Sequence, residues 1–150
     1  MAAIFPAYIA YGHDESLVFD KTPNGSSAHV VGDLVYWNST GMDKCGSDPS
    51  LIAAVSEVVS QDAKLLTPDG KIPYRFLTPN TVVAMCGTSD PTDQSNVGVV
   101  YGVANASGVW QVDLTDTSNT RVLVVAVDTV NKIFFVRFLP ANLQFDATLS

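Results

Sequence analysis

The densest group of ionisable side chains is His13-Asp14-Glu15, a set able in principle to hold a metal ion or move a proton. Consecutive residues of an extended chain point to opposite faces, so three in a row do not converge on one ion. The trio reads as a solvated loop. His29, the only other histidine, has no carboxylate or cysteine at ligand-like spacing. Asp113 and Asp116 flank a turn and could serve as a carboxylate pair for acid–base work. Aspartate is common in the turns of this chain, so turn formation is the expected role of both. Gly70-Lys71 follows no glycine-rich loop of the kind that cradles phosphate. No Gly-x-Ser-x-Gly elbow is present, and Cys45 and Cys86 have no histidine partner pattern. Two cysteines make neither a disulfide framework nor a metal knuckle, and both are expected as free thiols that behave as small hydrophobes. Tyr36, Trp37, Tyr101 and Trp110 could stack on sugars, but on strands with alternating neighbours they belong to the core. The expectation is a protein without catalytic, cofactor or metal residues, and not an enzyme.

The elements that would position these residues follow from composition. The 150 residues are 47% hydrophobic and 15% charged, enough for one domain with its own core. Valine occurs 21 times, leucine 11 and isoleucine 5, and acidic residues are 13 Asp against 2 Glu. β-branched side chains favour the pleated surface of a strand, and aspartate favours turns and caps over helix interiors. An all-β chain is expected. The longest apolar run, Val122–Val127, is too short to cross a bilayer as a helix. A net charge of −7 repels phosphate backbones, so nucleic acid is not an expected partner, and neither is membrane. The N-terminus lacks a basic n-region, which points to synthesis in the cytoplasm, and the Asn-X-Ser/Thr sites at Asn24, Asn38 and Asn105 read as turns.

Along the chain, period-two alternation marks Val109–Leu114, with Trp110, Val112 and Leu114 on one face and Gln111 and Asp113 on the other. Val97–Val103, Arg121–Val127 and Ile133–Leu139 read as further strands, the last two joined through Asp128–Lys132 as a long-loop hairpin. Ser16–Phe19, His29–Trp37, Tyr74–Leu77 and Thr81–Cys86 are the expected strands of the N-terminal half. The last two form an expected pair across Thr78-Pro79-Asn80. Asn38–Ser50 reads as a long loop. Leu51–Val59 fits a helical face through Leu51, Val55, Val58 and Val59, and also a strand through Leu51, Ala53 and Val55; its β-branched end favours the strand. The polar stretch Gly87–Asn96 suggests a boundary, giving an N-terminal arm (1–15) and two β subdomains (16–88 and 89–150). Ile4, Phe5, Tyr8 and Tyr11, with no charged residue before His13, are the candidate contacts with a shell or a neighbouring subunit. The alternative for this arm is an edge strand packed on its own domain.

As a whole, the chain resembles the decoration (cement) proteins of tailed phages over roughly residues 25–146. The likeness is carried by Gly32-Asp33-Leu34-Val35-Tyr36-Trp37, Cys45–Ala53, Leu66–Leu77 and Thr81–Met85. It continues through Gly98–Gly102, Gly108–Asp113, Thr117–Val124, Phe134–Phe138 and Leu139–Phe145. The resemblance implies a β-barrel or jelly-roll-like (β-tulip-type) sandwich. It implies a structural virion protein on the outer surface of an icosahedral head, often a homotrimer, with the major capsid protein as its partner. The other expectation is a fibre or carbohydrate-binding β module.

Overall fold

The computed structural model describes residues 3–11, 18–21, 30–39, 41–57 and 72–145. His13, Asp14, Glu15, Asn24, His29 and Gly70-Lys71 lie outside the described residues, as do Val58 and Val59. Eleven strands are described: β1 (Tyr8–Tyr11), β2 (Val18–Lys21), β3 (Leu34–Trp37), β4 (Met42–Lys44), β5 (Ala54–Val55), β6 (Ile72–Arg75), β7 (Val82–Gly87), β8 (Val100–Ala106), β9 (Val109–Asp113), β10 (Val122–Asp128) and β11 (Ile133–Phe138). The fold is all-β. A 3-10 turn, Pro140–Asn142, follows the last strand.

Five of these strands close on themselves in the order β7-β11-β10-β8-β9 and back to β7. Every junction of this barrel is antiparallel except β7–β9, which is parallel. Local chemistry makes the hairpins. Ser107 (φ +54°) and Gly108 (φ +87°) form the two-residue turn between β8 and β9, where both central residues must be left-handed. Asn105 Oδ1 accepts from the Gly108 N–H at 2.8 Å and steadies that turn. The Asp128 carboxylate accepts the N–H groups of Val130 and Asn131 at the β10–β11 loop. Between Val124 and Ala126 the register shifts by one residue, a bulge of the kind that bends a strand around a barrel.

The alternation of β11 then sorts its side chains. Phe134, Val136 and Phe138 enter the core, with Val122 and Val124 of β10, Met85 of β7 and Trp110 and Val112 of β9. Gln111, expected on the polar face, is also buried.

β3 is flanked by β4 and β5 in a second, open sheet. Leu34, Ile52 and Val55 face the barrel core, while Val35, Ala53 and Ala54 join a separate cluster with Met42 and Tyr74. This sheet is a layer with apolar contacts on both sides. Leu51–Val59 is strand-like where described, through β5.

Two expectations are corrected. Tyr74–Leu77 and Thr81–Cys86 do not pair with each other: β6 pairs with β2, and β7 with β1, β11 and β9. The reason is that the chain leaving β6 is captured by the β5 segment, through the Ala54–Phe76 bridge and the Leu77 N–H bond to Ala53 O. The expected loop Asn38–Ser50 contains β4, whose single buried residue, Met42, leaves no periodicity to read. Across residues 88/89, β7 is bonded to β9 and β11.

Candidate functional site

Of the segment expected as an arm, residues 3–11 are described, and Tyr8–Tyr11 form β1 at the edge of the described sheet. β1 lies on β7, with Tyr8 opposite Ala84 and Tyr11 opposite Val82. β1 and β9 share that edge of β7, and Cys86 stands where one gives way to the other. Its thiol donates towards the carbonyls of Phe5 (3.6 Å) and Trp110 (3.7 Å). The Ala3 N–H donates to Asp90 Oδ1 at 2.8 Å, which fixes the segment ahead of β1.

A turn from the second sheet presses on the same segment. Val30 N–H donates to Asp33 Oδ2 (2.9 Å) and Gly32 N–H to Ser56 O (2.8 Å). Gly32 has φ +94°, and a Cβ there would lie 2.6 Å from the Pro6 Cβ. Only glycine combines that backbone with so close an approach.

The result is an uncharged, apolar groove of about 310 Å³ lined by Phe5, Pro6, Ala7, Tyr8, Val31, Asn131 and Ile133. Ile4 (63% exposed), Tyr8 (45%) and Val31 (43%) project beside it, and Val130 at the neighbouring hairpin tip is 84% exposed. The Phe5 and Tyr8 rings meet at 6.2 Å, tilted by 52°. Three of the four candidate contacts, Ile4, Phe5 and Tyr8, are thus on this face, and Tyr11 ends the strand that carries it. Val31, Asn131 and Ile133 were not anticipated. The apolar pair Val30-Val31 just before a glycine, and a valine in an otherwise polar hairpin loop, were the available signals.

A second groove, about 290 Å³, lies along the chain after β4 and is lined by Tyr36, Cys45, Gly46, Asp48, Pro49, Ser50 and Leu51. Distant residues fix its backbone. The Arg121 guanidinium donates to Pro49 O and to Asp48 Oδ1 (3.2 Å), Asn142 Nδ2 donates to Ser50 O (2.9 Å), and the Cys45 thiol points to Leu51 O (3.7 Å). Burial pushes the Cys45 thiol up to about 12, with the charges of Asp43 and Asp33 adding to the shift.

The other sequence candidates have local roles. Cys45 and Cys86 are both free thiols. The Asp113 carboxylate accepts from Thr115 N–H and Oγ1–H, and the Asp116 carboxylate from Ser118 and Asn119 N–H, so each closes its own turn. Those backbone bonds hold Asp116 below the ordinary carboxylate range. Trp110 is 2% exposed and Tyr101 is buried, both in the barrel core, while Trp37 packs part-buried against the second cluster. Among the described residues no three His, Cys, Asp or Glu side chains gather as metal ligands. Comparison of the chain with protein-family models, with curated proteins and with solved structures finds no match in any of the three.

Proposed function

We propose that this chain is a structural virion protein, an accessory decoration protein that docks on the outside of an icosahedral phage head and stabilises contacts between capsomers. The observation that carries the reading is the uncharged apolar face on β1, the Val31 turn and the start of β11, in a chain whose net charge is −7. Centres of protein interfaces are depleted of charge and enriched in aromatic residues, and exposed apolar patches of this kind mark docking sites. The resemblance over residues 25–146 supplies the partner, the major capsid protein, and the place, the outer capsid surface after synthesis in a bacterial cytoplasm. A homotrimer would repeat the contact at a three-fold or quasi-three-fold point of the shell, where three weak contacts acting together gain steeply in avidity.

Co-sedimentation with purified heads tests this. The protein should pellet with assembled heads and not bind isolated coat subunits, and light scattering should give the mass of a trimer. Deleting residues 2–11 would uncover the edge of β7, so the cleaner variants are Ile4→Asp and Tyr8→Asp, which put a charge on exposed positions. Head binding lost in both, with the circular dichroism unchanged, supports the reading. Full binding by both, or no binding by the parent protein, contradicts it.

A further inference from the structure

We propose that the groove after β4 is a binding site for a neutral sugar ring. This goes beyond the docking role and is independent of it, since the groove is lined by residues 36 and 45–51 and shares none with the apolar face. Three observations converge. The first is a platform: Tyr36, part-exposed on β3, and exposed Leu51 offer an aromatic and an aliphatic surface to the C–H face of a ring. The second is a set of unengaged polar groups. Among the described residues the Tyr36 and Ser50 hydroxyls make no hydrogen bond, and Asp48, whose Oδ1 meets Arg121, has Oδ2 free. A carboxylate and hydroxyls are what vicinal sugar hydroxyls bond to. The third is preorganisation. Arg121 and Asn142 hold Asp48, Pro49 and Ser50 from distant parts of the chain, and the nearby Cys45 thiol points to Leu51 O, so little ordering is left for the ligand to impose.

Charge selects among small ligands. Asp48 lines the groove, and Asp43 and Asp33 lie close enough to act on Cys45 within it, a setting that disfavours phosphates and acidic sugars. Asp48 is the one carboxylate in the groove lining, too few for a metal ion. A neutral polyol is the class that remains.

Saturation-transfer NMR with the methyl glycosides of glucose, galactose, mannose and N-acetylglucosamine is the test. At least one should receive saturation, strongest on one face of its ring, with a dissociation constant of about 1 mM, ordinary for a shallow site. Tyr36→Leu should weaken it about tenfold by removing the aromatic platform. Asp48→Asn should weaken it about fivefold by removing a charged acceptor. Ser50→Ala, a change at an exposed position, serves as a third variant should Tyr36→Leu disturb β3, and should also weaken binding. No transfer to any of the four probes at about 20 mM overturns the proposal. So does transfer that stays unchanged in Asp48→Asn and Ser50→Ala. Loss of sugar binding with head binding intact would separate this site from the docking face.

Discussion

The barrel and the three-stranded sheet use the same residue types and are completed by different means. The barrel returns to its starting strand, so backbone ladders satisfy backbone groups all the way round. β4-β3-β5 is open, and the chain after β11 fastens it. Leu143 forms a parallel bridge to Ile52, Asn142 Nδ2 holds Ser50 O, and the Phe145 ring stacks on Phe76 at 4.4 Å. The Gln144 side-chain amide takes the place of a neighbouring strand: its Oε1 accepts from Trp37 N–H and its Nε2 donates to Trp37 O, both at 2.7 Å. A ladder closure needs only correct turns and register. The open sheet depends on single side chains from far along the chain, two of which, Asn142 and Gln144, lie more than ninety positions from their partners, and it carries the lining of the second groove.

Substitutions can break that contrast, the largest effects being expected in the barrel. Phe134→Ala empties a fully buried position and should cost about 3–5 kcal/mol in urea unfolding. A cost under 1 kcal/mol, the scale of a surface change, would mean the barrel is not the main core. Gly102→Ala comes next. A Cβ there would lie 2.5 Å from the Asp116 carboxylate and 3.0 Å from Asn119 O, so the 113–119 loop would be pushed off β8, at about 1–3 kcal/mol. Gln144→Ala should cost about 1–2 kcal/mol by removing the two hydrogen bonds its amide makes to the Trp37 backbone. It should raise amide exchange around Trp37 while β8–β11 keep their protection; uniform loss of protection would refute the separate fastening.

Smaller effects concern titration. With Cys45 pushed up to about 12, only about one thiol in ten thousand is ionised at pH 8, so alkylation of the native protein should be slow and become fast on unfolding. Reductant should leave the melting temperature unchanged. Because the folded thiol holds its proton more tightly than the unfolded one, stability from this group is present below the unfolded value and falls as pH rises towards 12. Asp116 and Asp128 behave oppositely. Backbone hydrogen bonds lower both, so the unfolded chain binds their protons first, and their contribution is lost as pH falls through the lowered values. A melting temperature that rises on acidification below the ordinary carboxylate range would contradict this sign.

What was legible in the sequence was local. β8 to β11 could be placed within a few residues because alternation, an Asn-Ala-Ser-Gly turn and an Asp-capped loop are all written in neighbouring positions. β4 was not, since three residues with one buried methionine have no period. The pairing of β6 was misread because its true partner lies about fifty residues earlier, and no local signal encodes that distance. The candidate face divides in the same way. Ile4, Phe5 and Tyr8 stood out as an uncharged stretch in an acidic chain, whereas Val31, Asn131 and Ile133 reach the groove only through the Gly32–Pro6 approach and the β7–β11 ladder.

The docking claim is tested most directly by hydrogen–deuterium exchange of the protein free and bound to purified heads. The account predicts new protection at residues 4–10 and 129–133 and at the Val30–Gly32 turn, with the 46–51 segment unchanged. Protection confined to 46–51, or no difference at the β1 face in a sample that pellets with heads, would contradict it.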